Sequence, residues 1–188
     1  MIQTLVPRPI AWVLSEIEAE KYNLAPVSYF TAVCSDPPLI MLSVGKKPDG
    51  SFKDTRVNIE QRKDFVVHIA HRELLEDLNQ SSATLAADVS ELDQLGLETV
   101  AFAGSRLPRI KPCRIAYACK CYQIHELGNT PQSIIYGKVN QIYIDDAITR
   151  TNEKGHLTVD PEKLAPIARL GANQYMETGE IIRLSRPK

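Results

Sequence analysis

Residues 23–38 read NLAPVSYFTAVCSDPP, and LIMLSV follows at 39–44. The stretch is strand-like, with Val27, Tyr29, Thr31 and Val33 alternating against Ser28, Phe30 and Ala32. Yet Pro26 stands inside it and Pro37-Pro38 interrupts it. Proline has no backbone donor and is excluded from central strands. Part of this backbone is therefore kept out of a sheet ladder. Two uses remain open: a bulge in an edge strand, or backbone left free to meet a ligand.

The flanks of this stretch read mostly as short strands. IAWVLSE (10–16) is apolar and β-prone, and KYN (21–23) marks a bend. LIMLSV is continuously apolar, which predicts cover on both faces. GKKPDGS (45–51) is loop, and a helix starts after it with Asp54 or Thr55 as cap. FVVHIA (65–70) is a further strand. RELLEDLNQ (72–80) and VSELDQLGLE (89–98) read as acidic helices, the first burying Leu74, Leu75 and Leu78. Their charges, Glu91 among them, read as a solvated face.

After a proline-punctuated connector, IAYACKCYQIHEL (115–127) and SIIYGKVNQIYI (133–144) return to strand. DPEKLAPIARLG opens as a short helix with Pro161 in its first turn. EIIRLS, from Glu180, reads as a closing strand. Strands thus cluster at both ends with helices between. That order argues for a mainly β (α+β) fold, an antiparallel barrel or sandwich with peripheral helices, in one domain over 1–188. No Gly-rich phosphate loop is present, which argues against a dinucleotide-binding doubly wound sheet.

The 188 residues are 44% hydrophobic with a net charge of −1. That balance fits a globular core and gives no reason to expect nucleic acid or a membrane surface as partner. The start MIQTLVPRPIAWVLS lacks the pattern of a secretory signal. Cys34, Cys113, Cys119 and Cys121 are then expected as free thiols in a cytoplasmic setting. With His125, three of them show no zinc-like spacing, so no metal is expected. His68 reads as a satisfied strand histidine, and Trp12 as core or interface.

Small residues Ala25 and Ser28 beside Pro26 would let a flat ring approach the chain. SFKDT (51–55) places Ser51, Lys53 and Thr55 at a predicted helix start, where free N–H groups and the helix dipole favour a phosphate. Lys46, Lys47 and Arg56 add positive charge nearby. Read alone, the same residues also fit plain helix capping.

Taken in order, PRPIAWVLS, NLAPVSYFTAVCSDPPLIMLSVG, SFKDTRVNIEQRKDFVVHIA, LGLETV and LAPIARLGANQY closely resemble the flavin reductase-like family, which includes flavoredoxins. The resemblance implies an FMN-binding split antiparallel β-barrel, a homodimer and one FMN per subunit near the dimer interface. It places Asn23, Ala25, Pro26, Val27, Ser28, Tyr29 and Phe30 along the isoalloxazine, largely through backbone. It places Ser43, Ser51, Lys53 and Thr55 near the ribityl phosphate, and Arg169 in a wall of the site. Bare residue reading fits Arg169 equally well as a dipole partner near a helix C-cap at Gly171.

The implied activity is hydride transfer from NADH or NADPH to flavin and on to an acceptor, with contact to a redox partner protein as a further expectation. The alternative is an FMN-binding electron carrier without nicotinamide turnover. Many flavin reductases carry Gly-Asp-His in the loop that is LGNTPQSIIYGKV (127–139) here, and no histidine follows Gly128. No catalytic residue is assigned.

Overall fold

The structure is a computed structural model and describes residues 1–185 and 187. Its strands and helices run β1 (Arg8–Pro9), β2 (Ala11–Glu18), β3 (Lys21–Val27), β4 (Phe30–Ser35), β5 (Pro38–Val44), α1 (Asp54–Arg62) and β6 (Asp64–Ile69). Then come α2 (Leu75–Gln80), α3 (Glu91–Leu95), β7 (Thr99–Val100), β8 (Arg109–Ile110), β9 (Ile115–Leu127) and β10 (Gln132–Ile144). The chain finishes with β11 (Thr149–Thr151), β12 (Leu157–Val159), α4 (Pro161–Leu164), β13 (Ala168–Arg169) and β14 (Tyr175–Met176).

The main sheet is antiparallel in the order β3-β2-β6-β9-β10-β5-β4. β3 and β4 sit at its two opposite edges, yet only Ser28 and Tyr29 separate them in sequence. The sheet must therefore curl until its edges meet. The chain itself joins those edges, with one cross-link from Ser43 N–H to the Tyr29 carbonyl at 2.9 Å. This is a barrel with a split, and the split runs through the proline-marked segment.

Register explains the prolines. Trp12 is opposite Pro26 and Leu14 opposite Leu24 in the β2–β3 pair. The Leu24 N–H points away from β2, to a Glu91 carboxylate oxygen at 2.9 Å. Backbone groups alternate sides along an antiparallel strand. Residue 26 therefore also faces outward, where its missing N–H costs the ladder nothing.

β2 is continuously apolar from Ala11 to Leu14 because both its faces are buried there. Ala11 and Val13 join Val27, Leu42, Phe65, Val67 and Ile135 inside the barrel, with Ile59 of α1 closing one end. Trp12 and Leu14 point the other way, onto Leu74, Leu78 and Leu92 of the helical layer. At a β9–β10 bulge, Gly137 makes room for Phe65: a Cβ there would lie 2.4 Å from the ring.

Several expectations are corrected. The bend precedes KYN, at Ala19-Glu20, and Lys21–Asn23 already belong to β3. β5 buries Ile40, Leu42 and Val44, while its other face is only half-covered. Lys53 holds the N-cap position before α1 and makes no side-chain cap, so neither Asp54 nor Thr55 is the cap. The second acidic helix shrinks to α3, capped by Ser90 and stopped at Gly96 in the left-handed region. Glu91 is buried, not solvated, because the edge of β3 needs its carboxylate. The segment around Gly171 is no helix end: β13 pairs with β1 and β14. Residues 180–185 form no strand, since no neighbouring edge pairs with them.

Candidate functional site

Two adjoining cavities open beside the split. One, of about 400 Å3, is walled by Ala25, Pro26, Val27, Ser28 and Tyr29 on one side and Ser43, Val44 and Gly45 on the other. Lys53, Thr55, Gln132, Arg8, Arg169 and Leu170 complete much of its lining. The other, of about 320 Å3, shares Ala25, Pro26, Lys53 and Thr55 with it. It extends past Asn23 to Lys46, Lys47 and the loop Ser81–Leu85.

Ten of the twelve residues expected at a site thus come together: Asn23, Ala25, Pro26, Val27, Ser28, Tyr29, Ser43, Lys53, Thr55 and Arg169. Phe30 and Ser51 do not line either cavity. Phe30 packs against the barrel core. Ser51 is turned outward, its N–H and hydroxyl both donating to Asp49 Oδ1 at 2.9 and 2.6 Å. Those two bonds hold the Asp49 carboxyl below its usual range.

The helix start has the donors an anion needs. Lys53 forms no ion pair among the described residues, and no side chain caps the first turn of α1. Its leading N–H groups are therefore open. Thr55 is buried and its Oγ1 accepts from Asn23 Nδ2 at 3.0 Å, which leaves its own hydroxyl proton free to donate.

The surrounding charge is smaller than the sequence suggests. Lys47 is paired with Asp54 at 2.8 Å. Arg56 is buried, paired with Glu60 and, at 3.5 Å, with Glu126, and stacked on Phe52. Of the three extra cations expected, only Lys46 lacks a carboxylate partner, and it lies over the Phe52 ring.

Sequence reading missed Gln132, the loop 81–85 and Glu91 as lining residues. Burial raises the Glu91 carboxyl above its usual range, opposed by the Leu24 N–H. Neither cavity is lined by any of the four histidines. His68 is wholly buried in the helical-side core, and Trp12 lies there too, its Nε1 donating to Ser81 Oγ at 2.8 Å. All four cysteines are free thiols.

A family model described as "Flavin reductase like domain" matches residues 3–159. The chain belongs to the flavin reductase-like family. Its barrel is that family's split barrel. An uncharacterized protein of Bacillus subtilis (strain 168) is 35% identical over 98% of this chain and 90% of its own length.

Among family structures, nitrilotriacetate monooxygenase component B from Bacillus cereus superposes with a TM-score of 0.87. It is 31% identical, covering 97% of this chain and 90% of its own. The 2-nitrobenzoate 2-nitroreductase NbaA of Pseudomonas fluorescens gives 0.86 at 28% identity, covering 99% and 88%.

Proposed function

We propose that this protein is an FMN-dependent oxidoreductase. The reading rests on one juxtaposition: the outward backbone edge at Pro26–Ser28 and the open helix start at Lys53–Thr55 line one cleft. The donor set suits FMN. Lys53, the Thr55 hydroxyl and the first N–H groups of α1 would hold its phosphate, and the edge from Ala25 to Tyr29 would meet its ring. When bound, FMN would supply the chemistry for hydride transfer between NADH or NADPH and an acceptor.

The chain's own part is binding, orientation and exclusion of water. The proteins it resembles support a redox role, since two carry the names of a monooxygenase component and a nitroreductase. A homodimer is part of the proposal. β4 is an exposed edge strand along most of its length, with Val33 49% exposed, and a bare apolar edge calls for a cover. We place the protein in the cytoplasm on its four free thiols. Among the described residues no helix is long and apolar enough to cross a membrane.

The second reading, an FMN electron carrier without nicotinamide turnover, draws on the absence of histidine from the cleft. The nearest candidate by sequence, His125, is exposed and sits edge-on to Tyr136 at 5.9 Å. Titrating purified protein with FMN, then adding NADH or NADPH without air, tests both. Loss of flavin absorbance on adding nicotinamide supports the first reading. Flavin that binds yet bleaches only with dithionite supports the second. No flavin binding overturns both.

A further inference from the structure

Arg8 and Arg169 are direct Cα partners in the β1–β13 pair. Like charges in that position repel and weaken a sheet. Neither forms an ion pair among the described residues. Arg8 is only 7% exposed, and a buried charge without a counter-charge is costly. Carbonyls hold each arginine in place, but no carboxylate among the described residues balances the two charges.

The two guanidinium groups are differently committed. Of five N–H donors, Arg8 gives three to carbonyls: Nη1 to Ile2 and Leu5 at 2.5 and 2.9 Å, and Nη2 to Leu170 at 2.7 Å. Arg169 gives one, to the Ala172 carbonyl, and lies over the Tyr175 ring at 4.5 Å. Arg8 is thus a fixed charge, while Arg169 keeps most of its donors available.

The cavity they line has three cations, Arg8, Arg169 and Lys53, and no carboxylate, in a chain of net charge −1. Its neighbour balances lysines with Asp54 and Glu91. The two basic groups also adjoin different neighbouring cavities. Lys53 and Thr55 stand where the cavity joins that neighbour. Arg169 stands where it joins a third cavity lined by Ile10, Leu78 and Tyr175. A phosphate gripped at Lys53 would leave the two arginines without a carboxylate partner in this cavity.

We propose that Arg8 and Arg169 form an anion subsite for a second small molecule docking beside the flavin. The group bound is a planar carboxylate or a dinucleotide diphosphate. Either matches the guanidinium fork, with Arg169 donating and Arg8 supplying fixed charge behind it. The proposal rests on the flavin reading above.

The test uses the FMN-loaded protein with three probes: benzoate, ADP, and benzamide as the neutral control. Binding is followed by perturbation of the flavin spectrum and by calorimetry, with Arg169→Gln and Arg169→Lys beside the wild type. The expected result is that benzoate or ADP binds and weakens about tenfold or more in Arg169→Gln. Arg169→Lys should recover part of the loss, and benzamide should not respond. FMN affinity, measured in parallel, should fall by much less than probe affinity.

Benzoate alone identifies a carboxylate ligand, and ADP alone a dinucleotide. Wild type binding neither probe, or Arg169→Gln binding both unchanged, overturns the subsite. So does Arg169→Gln losing FMN as steeply as the probe, which would return the pair to the cofactor. If the wild type takes up no FMN, the flavin reading has failed instead. Calorimetry of the apoprotein with the same probes then decides the subsite by itself.

Discussion

The backbone N–H of Ile110 donates to His68 Nε2 at 3.0 Å, inside a fully buried core. An imidazole nitrogen that accepts carries no proton, so the proton is on Nδ1, 3.2 Å from the Trp12 carbonyl. His68 ties β2, β6 and β8 together in its neutral form only. Burial holds its pKa down at about 4, against 6.5 for a free histidine, with the Trp12 carbonyl opposing the shift.

The sign of the pH effect follows. Between those values the unfolded chain binds a proton that the folded chain refuses. Stability from His68 is complete above pH 6.5 and is lost as pH falls toward 4, by about 3 kcal/mol in all. Urea denaturation at pH 7, 6 and 5 should show the decline. His68→Gln should be less stable at pH 7 but flatter between pH 6.5 and 5. An equally steep slope in that variant would remove the histidine from the account.

Gly137 lies where a Cβ would meet Phe65 Cζ at 2.4 Å, and Phe65 is fixed in the barrel interior. Gly137→Ala is expected to cost about 1–3 kcal/mol by overpacking. Phe65→Leu, itself a destabilising change, should restore part of that loss in the double variant. Melting temperatures of the four proteins complete the cycle; strictly additive losses would show that the two residues do not share the space.

Much of this architecture is legible in the sequence, for local reasons. IAWVL is apolar without alternation because β2 has a core on each face. IAYACKCYQIHEL coincides with β9, and Pro161 starts α4 after its Asp160 cap. What escapes is whatever depends on distant neighbours. Glu91 looks like any acid on a charged helix until α3 is set against the edge of β3. EIIRLS is β-prone by composition but pairs with no edge among the described residues. Arg8 and Arg169 lie far apart in the chain, and only the β1–β13 register brings them face to face. For the cleft, Pro26 and SFKDT are readable because proline and a helix start carry local signals; Gln132 and the loop 81–85 carry none.

Lys53 projects at the start of α1 with no carboxylate partner among the described residues, so its removal should not disturb packing. Lys53→Ala is expected to weaken FMN binding about tenfold or more, with an unchanged melting temperature for the apoprotein. Thr55→Ala is less clean, because it strips Asn23 Nδ2 of its acceptor in a buried site, at about 1 kcal/mol. Thr55→Ser keeps the hydroxyl and should keep both affinity and stability. Fluorescence titration with FMN checks the set; an unchanged Kd in Lys53→Ala removes the phosphate from this end of the cleft.

Glu91 separates acceptor from charge. Its carboxyl is pushed up by burial, so folding is easier with the proton on, and its contribution declines as pH rises through the folded pKa. At neutral pH the charge is a burden, while the oxygen is needed by the Leu24 N–H. Glu91→Gln keeps an acceptor and sheds the charge, so it should change stability by less than about 1 kcal/mol at pH 7. Glu91→Ala leaves that N–H without a partner and should cost about 1–3 kcal/mol. Hydrogen exchange at Leu24 is the direct measure: protection should persist in Glu91→Gln and collapse in Glu91→Ala. Equal protection in both variants would mean that the edge of β3 is held by packing alone, and that the cleft wall from Ala25 onward does not depend on α3.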